Sequence, residues 1–286
     1  IKDAKEVVEI ADDPAMAFKL KPDSSLTVGL NLLKSGAGDA FVSAGSTGAL
    51  LSGATLVVKR IRGIRRAAMG PLVPTAAGRA VLCDCGANAQ CTAEYLLQFA
   101  YLGSFYAQRV CGVEKPRVGL LNIGAEEEKG DDLRHEAYAL LQEAADQGRI
   151  HFIGNVESND AMMGAADVIV ADGFTGNIML KTMEGTAKFL LRELKKTMTA
   201  STKNKLAAGM LKGDLMEMKK LLDPSEVGGT AFLGISRPVF KAHGSSDARA
   251  ITNAVLRAKE YAESGFIADI EANIEYMRIR TGTEKI

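Results

Sequence analysis

The residues best suited to chemistry lie in the stretch Ala40–Gly53. A short apolar run is followed there by a loop with Ser46, Thr47 and Gly48, and then by an apolar segment of helical length. Free N–H groups at the start of a helix, with hydroxyl groups beside them, suit an anion such as phosphate. An ordinary strand-to-helix turn explains the same pattern, so this loop alone leaves both interpretations open.

The same design recurs at four more places in the chain. Loops that contain glycine, small hydroxyl groups or amides follow the predicted strands at Asp84–Asn88, Gly124–Gly130, Asp172–Asn177 and Lys241–Asp247. In open α/β sheets, ligands bind beyond the carboxyl ends of the strands. We therefore predict that several of these loops face one cleft, and that the cleft holds a phosphoryl or oxyanion ligand.

Basic and acidic side chains in these loops are candidates for catalysis. His243 lies between Lys241 and two serines, which favours an acid or base role, although a structural histidine also fits. Lys181 follows Asn177 by four residues, so both side chains point the same way from a helix, although Lys181 also fits an exposed helix lysine. Three acidic residues either orient lysines and amides or cap helices: Asp84, Glu126 and Asp172.

Several catalytic motifs are absent from the sequence. No G-x-G-x-x-G follows a strand and no G-x-x-x-x-G-K-[ST] is present, so neither a standard dinucleotide site nor a P-loop is expected. Gly45–Gly48 is one residue short of a G-x-S-x-G elbow, so Ser46 is not assigned as a nucleophile. The cysteines lack the spacing of a zinc site, and we predict thiols without a metal at Cys83, Cys85, Cys91 and Cys111.

Composition limits the class of protein. The 286 residues contain 35 Lys and Arg and 35 Asp and Glu, and this zero net charge argues against a nucleic-acid binder. No apolar run reaches the length of a membrane span and no signal peptide is visible, so we expect a cytoplasmic protein. Because the chain begins at Ile1, we expect that further N-terminal residues precede it.

Strand-like and helical segments alternate along the chain, as expected for a mainly parallel sheet covered on both faces. The strand-like runs are 40–42, 80–83, 117–123, 151–154, 168–171, 231–235 and 239–242. We also predict helices at Lys2–Phe18, with a break at Asp12–Pro14, at Leu26–Lys34 and at Phe266–Arg280, and a loop at Pro71 and Pro74.

Two charged segments each have two interpretations. The basic cluster Lys59–Arg66 is either a solvated turn or a dock for an acidic partner. In Lys203–Leu222, Leu and Met lie close to one helical face and lysines line much of the remainder. This segment is either a core or dimer-interface helix pair, or a contact with an anionic membrane surface.

Six blocks of this sequence, in the same order, resemble the bacterial phosphate acyltransferases of phospholipid synthesis. The blocks are Ser43–Ala49, Asp84–Asn88, Val118–Gly124, Ile153–Glu157, Asp172–Asn177 with Leu180–Thr182, and Lys241–Asp247. The resemblance covers nearly the whole chain. The family usually begins with a strand and a D-A-M-G-G-D turn, which this sequence lacks, so one wall of the cleft stays unassigned.

The resemblance implies a three-layer α/β/α fold like that of phosphotransacetylases and isocitrate/isopropylmalate dehydrogenases. It implies transfer of a fatty acyl group from acyl-acyl-carrier protein to inorganic phosphate, without a cofactor. It also implies a homodimer whose product passes to a membrane glycerol-3-phosphate acyltransferase. We expect one domain over residues 1–286, with an amphipathic helical protrusion at 200–226.

A direct attack of phosphate on the thioester is the mechanism that we predict for such an enzyme. The predicted catalytic residues are His243, Lys181, Asn177 and Asn88. The predicted phosphate- and substrate-binding residues are Ser46, Thr47, Gly48, Gly124, Asp172, Gly173, Thr175, Gly176, Lys241 and Ser245. Two other functions stay open, an oxidoreductase of the related dehydrogenase fold and a non-catalytic membrane-associated scaffold.

Overall fold

The computed structural model describes residues 1–223, 226 and 228–278. The strands are β1 (Phe41–Ser43), β2 (Ala68–Gly70), β3 (Leu72–Thr75), β4 (Gly78–Cys83), β5 (Arg117–Leu121), β6 (His151–Val156), β7 (Val168–Val170), β8 (Thr230–Leu233) and β9 (Val239–Lys241). The helices are α1 (Ala17–Leu20), α2 (Ser25–Lys34), α3 (Thr47–Gly53), α4 (Ala93–Arg109), α5 (Asp132–Asp146), α6 (Ser158–Met162), α7 (Gly173–Thr199), α8 (Thr202–Met210), α9 (Lys212–Leu222), α10 (Ala248–Glu263) and α11 (Phe266–Ala272). A π-helical segment, Ala54–Val58, continues α3, and a 3-10 turn, Ile274–Met277, follows α11.

The strands form two hydrogen-bonded groups that meet at one point. One group has the order β1-β9-β8-β2, and the other has the order β3-β4-β7-β5-β6. The chain passes from β2 to β3 through Pro71, whose carbonyl accepts a hydrogen bond from the N–H of Leu82 in β4. Met69 of β2 likewise donates its N–H to the side chain of Asp84, just after β4. The two groups therefore lie side by side in one mixed sheet.

The two halves of this sheet run in opposite directions. β4, β5, β6 and β7 are parallel to one another, and β3 is antiparallel to β4. β1 is parallel to β9, while β8 is antiparallel to both β9 and β2. Because β2 leads directly into β3, strands β1, β9 and β2 point opposite to β4, β5, β6 and β7. The carboxyl ends of β1 and β9 thus lie at one edge of the sheet, and those of β4, β5 and β7 at the other.

Helices cover both faces of the sheet, because successive side chains of each strand point to opposite faces. On one face, Val81 and Cys83 of β4 and Phe240 of β9 pack with buried residues of α4, α5, α10 and α11. On the other face, Leu82 packs with residues of α6 and α7, while Val239 packs with α2 and α3. The result is the three-layer α/β/α arrangement predicted from the sequence.

Three predictions about local structure differ from the structure. The helix expected at Lys2–Phe18 is replaced by irregular chain before α1, with Glu6 bridged to Ser24. The expected loop at Pro71 and Pro74 includes β3, where proline is tolerated because β3 pairs only with β4. The last predicted helix ends earlier, at α11, and its predicted end, Arg280, lies outside the described residues.

Helices α8 and α9 contain no buried residue in the part of the chain that the structure describes. They contact the second half of the long helix α7. Within the predicted protrusion 200–226, positions 224 and 225 lie outside the described residues. The single domain over 1–286 stays a prediction. Among the described residues, no helix combines the length and the apolar character needed to cross a bilayer.

Candidate functional site

Two of the predicted loops meet at the end of the β1–β9 pair. Ser43 lies beside Lys241 in the parallel register, and the N–H of Ala242 donates to the carbonyl of Ser43 at 2.9 Å. We call residues 43–48 and 241–247 the first loop group. It brings together six of the predicted site residues: Ser46, Thr47, Gly48, Lys241, His243 and Ser245.

The start of α3 in the first loop group has free hydrogen-bond donors. The hydroxyl of Ser46 accepts from the N–H of Ala49 at a long 3.4 Å, and the carbonyl of Ser46 accepts from Leu50. The N–H groups of Thr47 and Gly48 have no acceptor in the part of the chain that the structure describes. Free donors at a helix start attract an anion.

The ammonium group of Lys241 lies on the same side of the sheet as α3. Phe240 packs on the opposite face, so the strand alternation places Lys241 with Ser43 on the α3 face. The ammonium donates to the carbonyl of Ala242, and no carboxylate among the described residues forms an ion pair with it. Burial lowers the pKa of Lys241. A half-buried cation without a counter-ion suits an anionic ligand.

His243 is held by its neighbour two residues later. The backbone N–H of Ser245 donates to Nδ1 of His243 at 3.2 Å, and the hydroxyl of Ser245 lies 2.8 Å from the same nitrogen. Because Nδ1 accepts the backbone hydrogen bond, the ring hydrogen of neutral His243 belongs on Nε2. The exposed imidazole therefore presents an Nε2–H group outward.

A second loop group lies at the opposite edge of the sheet. It comprises residues 84–88, 122–130 and 172–177, which follow β4, β5 and β7. The N–H of Gly173 donates to the carbonyl of Asn88, and a Cβ added at Gly176 would lie 2.0 Å from the carbonyl oxygen of Asp84. This group contains the predicted residues Asn88, Gly124, Asp172, Gly173, Thr175, Gly176 and Asn177. The predicted loops are thus divided between two edges of the sheet, because the two halves of the sheet run in opposite directions. That several of them face one cleft stays a prediction.

The N–H groups at the start of α7 already have hydrogen-bond acceptors, chiefly the carboxylate of Asp172. Asp172 accepts the N–H groups of Phe174 at 3.0 Å and Thr175 at 2.9 Å, and the hydroxyl of Thr175 at 2.7 Å. The guanidinium of Arg134 pairs with the same carboxylate and with the hydroxyl of Thr175. The N–H of Gly176 donates to the carbonyl of Asp172. These bonds leave no N–H of residues 173–176 free for the predicted phosphate.

The charge state of Asp172 reflects this environment. Burial acts to raise its pKa, but the hydrogen bonds from Thr175 and the charge of Arg134 outweigh burial, and the pKa lies below its ordinary value. The carboxylate therefore stays ionised as the cap of α7. Of the two interpretations of Asp172, the structure favours the cap.

Asp84 organises the loop after β4. Its buried carboxylate accepts the N–H groups of Met69, Cys85, Ala87 and Asn88, and burial raises its pKa despite these bonds. The side-chain amide of Asn88 donates to Asp84 at 3.0 Å and to the carbonyl of residue 67 at 2.8 Å. Both amide hydrogens are thus used, so the predicted oxyanion role does not fit Asn88 in this arrangement.

Lys181 and Asn177 lie beside the second loop group. A Cβ added at Gly86 would lie 3.8 Å from the side-chain oxygen of Asn177. Lys181 pairs with Glu184 at 3.0 Å, and its charge opposes the effect of burial, which raises the pKa of Cys85. The structure therefore places both residues with the second group and not with His243.

Arg134 is a functional candidate that the sequence reasoning missed. Its side chain is 14% exposed and links Asp131 to Asp172 across two helix starts. The signal available in the sequence was an arginine in the first turn of a helix that follows a loop of acidic residues. That signal does not reveal which distant carboxylate the arginine pairs with. No group of three or more potential metal ligands is present among the described residues.

Comparison with known proteins gives the family. A family model described as "Fatty acid synthesis protein" matches residues 1–269. A protein named phosphate acyltransferase from Geobacillus thermodenitrificans is 47% identical over 273 residues, which cover 95% of this chain and 82% of the relative. A protein of the same name from Bacillus pumilus is 48% identical over 276 residues, covering 96% and 82%. The chain belongs to the fatty acid synthesis protein family.

Solved structures support the fold of this family member. The EutD phosphotransacetylase from Staphylococcus aureus superposes with a TM-score of 0.57 at 19% identity, covering 86% of this chain and 69% of that chain. A phosphotransacetylase from Streptococcus pyogenes gives a TM-score of 0.58 at the same identity and coverage. At this identity the likeness concerns the fold alone. The phosphotransacetylase-like fold expected from the sequence is confirmed.

Proposed function

We propose that this chain transfers an acyl group from an acyl thioester to inorganic phosphate, giving acyl phosphate for phospholipid synthesis. The relatives named phosphate acyltransferase, at 47% and 48% identity over most of the chain, support this reaction. The structural observation that carries the proposal is the first loop group. Free N–H groups at the start of α3 lie there on the same side of the sheet as Lys241, a cation that has no counter-ion among the described residues.

In this proposal the first loop group holds the phosphate. The N–H groups of Thr47 and Gly48 and the hydroxyl of Ser46 bind its oxygens, and Lys241 offsets its charge. A phosphate oxygen then attacks the thioester carbonyl directly. Charge develops on the carbonyl oxygen, and each well-placed donor that stabilises such an oxyanion is worth about 10²–10³ in rate. A thiolate is a good leaving group, so position and charge matter more than a covalent nucleophile.

His243 supplies the proton for the departing sulfur. In its protonated form, Nε2–H faces outward and Nδ1–H donates to the hydroxyl of Ser245, so the backbone N–H of Ser245 gives up the hydrogen bond that it makes to the neutral ring. We propose that Nε2 protonates the thiolate as it leaves. A stable acyl-enzyme on Ser46 or on a cysteine, trapped during turnover, would overturn the direct attack.

The second loop group has a different proposed role. Gly124, Asn177 and Lys181 lie at the other edge of the sheet, away from the first loop group. We propose that they contact the remainder of the long acyl donor. The shape of this surface is fixed by Asn88, Asp172 and the first turn of α7.

The acyl donor in this proposal is an acidic carrier protein. Among the basic cluster Lys59–Arg66, Arg65 pairs with Glu94 and Arg66 lies over the ring of Tyr95. Lys59 and Arg62 are exposed and form no ion pair in the described residues. Charged groups left in water attract an acidic partner over a distance.

Charge reversal tests this dock. Lys59→Glu combined with Arg62→Glu should raise KM for the carrier substrate at low salt and leave kcat unchanged. The matched control is Lys34→Glu, at the exposed end of α2, which should leave KM unchanged. An unchanged KM in the double variant would contradict binding of the carrier protein to this cluster.

We also propose that the protein is a homodimer that contacts an anionic membrane surface. Its product would then reach a membrane glycerol-3-phosphate acyltransferase directly. The support is the set of exposed apolar side chains on α8 and α9, together with the lysines around them. The exposed apolar side chains are Leu206, Met210, Leu211, Met216, Met218 and Leu221.

Phosphorus NMR tests the reaction itself. The chain mixed with acyl-acyl-carrier protein and phosphate should produce the acyl phosphate signal. His243→Ala and Lys241→Ala should slow its appearance strongly, and Lys34→Ala should not. A non-catalytic scaffold would give no signal with the unchanged chain.

A further inference from the structure

A groove lies along the free edge of β1, between this strand and α10. In the part of the chain that the structure describes, β1 pairs with β9 alone, so its other edge has no neighbouring strand. The groove encloses a cavity of about 630 Å³, which falls within the roughly 300–1,000 Å³ that is usual for small-molecule sites. The described residues that line it are Asp39, Ala40, Val42, Val255, Ala258, Lys259, Ala262 and Glu263.

Apolar side chains form most of this lining. Ala40 and Val42 pack with the core on the α10 face, whereas Phe41 packs with α2 and α3, as the alternation along a strand requires. Val255 and Ala262 lie two turns apart on one face of α10. Val255 is 52% exposed. Exposed apolar surface inside a concave site is suited to an apolar ligand.

One end of the groove opens beside the first loop group. Val42 directly precedes Ser43, which begins this group. α10 starts just after the loop of residues 241–247 and packs back along β1 and β9. Ile251 is 36% exposed one turn before Val255, so it continues the apolar line toward that loop. An apolar path therefore leads from the groove to the loop that carries the proposed acid.

Charged residues lie at the other end of the groove. Asp39 comes three residues before Val42, and Glu263 comes two turns after Val255. Lys259 pairs with Glu263 at 3.9 Å, and both side chains are 67% exposed. Two carboxylates and one ammonium give this end a negative charge, which repels the carboxylate of a free fatty acid. The groove therefore suits a neutral alkyl chain that ends there in a methyl group.

We propose that this groove binds the alkyl chain of the acyl donor and places its thioester carbonyl at the first loop group, an assignment that rests on the proposed function. The alkyl chain lies on the α10 face, and phosphate reaches the carboxyl end of β1 from the α3 face. The apolar line from Ile251 to Ala262 is about 17 Å long, at 1.5 Å per residue, so it suits a medium or long chain. Val255 and Ala262 thus determine the preferred chain length.

Calorimetric titration with coenzyme A thioesters measures this binding without turnover. Butyryl-, octanoyl- and dodecanoyl-coenzyme A are titrated into the full chain in the absence of phosphate. Full burial of a methylene group is worth roughly fourfold in affinity. Because the groove leaves part of the chain in contact with water, we expect about half of that free energy, a gain of about fourfold for each two added carbons.

Two substitutions change the groove, and a third is the matched control. Val255→Asp places a charge in the lining, and Ala262→Phe fills the groove. Both should abolish the gain with chain length and leave the affinity for butyryl-coenzyme A unchanged. Leu256 follows Val255, is 53% exposed and is not part of the lining. Leu256→Asp should therefore keep the full gain.

The outcomes separate the possible occupants of the groove. An equal gain with chain length in Val255→Asp and Leu256→Asp would overturn the proposal, and so would an unchanged chain that shows no gain. A second copy of the chain in the groove would appear as a changed sedimentation coefficient of Val255→Asp with the gain intact. A strand added at the edge of β1 would leave the gain intact in both groove variants. A chain that shows the gain but makes no acyl phosphate would refute the proposed function and keep this site.

Discussion

Charged side chains in the two loop groups differ in how their charge is balanced. Asp172 is paired with Arg134 and bonded to Thr175, and Asp84 accepts several backbone N–H groups. Among the described residues, the ammonium of Lys241 has a backbone carbonyl as its hydrogen-bond partner and no carboxylate. The second group therefore uses its charges to hold its own shape, whereas the first group has a charge available for a ligand.

The pair between Asp172 and Arg134 should be visible in the pH dependence of stability. Asp172→Asn keeps a residue that caps helices but removes the charge, and it should lower the free energy of unfolding at pH 7 by about 2 kcal/mol. The folded-state pKa of Asp172 lies below its ordinary 3.8, so its stabilisation is present above that pH and is lost as the pH falls through the folded value. The difference in the free energy of unfolding between the variant and the unchanged chain should therefore become smaller as the pH falls.

Urea unfolding at pH 7 and at lower pH measures this difference. Asp132→Asn, an exposed first-turn change in α5, is the control and should have little effect at either pH. A destabilisation by Asp172→Asn that is the same at every pH would show that the charge of Asp172 is not what stabilises the start of α7.

The contact between Ser245 and His243 should affect catalysis more than stability. Ser245→Ala removes the hydroxyl from Nδ1 but keeps the backbone donor, so we expect kcat to fall about tenfold, part of the 10²–10⁴ that acid–base catalysis supplies. Ser245→Thr should restore activity, and Ser246→Ala should match the unchanged chain.

Nitrogen NMR of the imidazole separates this role from a structural one. The neutral ring of His243 should carry its hydrogen on Nε2 in the unchanged chain. If Ser245→Ala and Ser246→Ala reduce kcat equally, the hydroxyl of Ser245 has no specific role.

Residue types and local spacing identified the candidates of the first loop group, whose roles stay predictions. Ser46, Thr47, Lys241 and His243 come together because β1 and β9 are neighbours in parallel register. The role of Asn88 could not be predicted, because its amide hydrogens are used by a backbone carbonyl 21 residues earlier and by Asp84. Such pairings depend on the folded chain and leave no periodic signal in the sequence.

At the scale of elements, the first turn and the middle of α7 differ in their surroundings. Gly176 lies where a Cβ would contact the backbone of Asp84 at 2.0 Å, whereas Gly185 has no atom within 4 Å of such a Cβ. The first turn is therefore fixed by contact with the loop after β4, and the later turns extend away from the sheet.

Two glycine-to-alanine variants in this one helix should have opposite effects. Gly185→Ala should raise the free energy of unfolding by about 0.5–1 kcal/mol, because alanine favours a helix and the position is open. Gly176→Ala should lower it by about 1–3 kcal/mol, because the backbone of Asp84 must move. Urea unfolding measures both. Destabilisation by both variants would contradict the open environment of Gly185.

Helix limits were predicted closely where capping residues and apolar periodicity agree. Ser24 caps α2, and Asp247 caps α10. The expected first helix failed because the Asp-Asp-Pro sequence at Pro14 interrupts it and the chain before it pairs with Ser24. β3 was missed because its sequence contains Pro74, and only the position of β3 beside a single partner strand makes that proline acceptable.

At the scale of the whole molecule, the sheet directions decide which loops can act together. The sequence predicted that several loops face one cleft, but not at which edge of the sheet each strand ends. The relative direction of the halves is set by pairings between distant segments, β2 with β8 and β3 with β4. Local sequence patterns carry no information about that direction, so the separation into two loop groups could not be predicted.

The exposed apolar residues of α8 and α9 should control binding to anionic vesicles. Leu206 and Met210 are 70% and 87% exposed, and the double variant Leu206→Asp, Met210→Asp should lose binding without a change in Tm. The control is Leu256→Asp on α10, which is 53% exposed and lies outside this segment. Cosedimentation with vesicles measures binding. Equal loss of binding in the control would contradict a specific role for α8 and α9.

The order of strands along the chain has a consequence for synthesis. β3 to β7 come from one continuous stretch, whereas β1 and β2 precede it and their partners β9 and β8 follow it. During synthesis on the ribosome, β3 to β7 can complete their strand pairs before β8 and β9 of the other half have been made. The first loop group needs the ends of both β1 and β9. The proposed phosphate site should therefore be the last part of the molecule to form, after nearly the entire chain has been made.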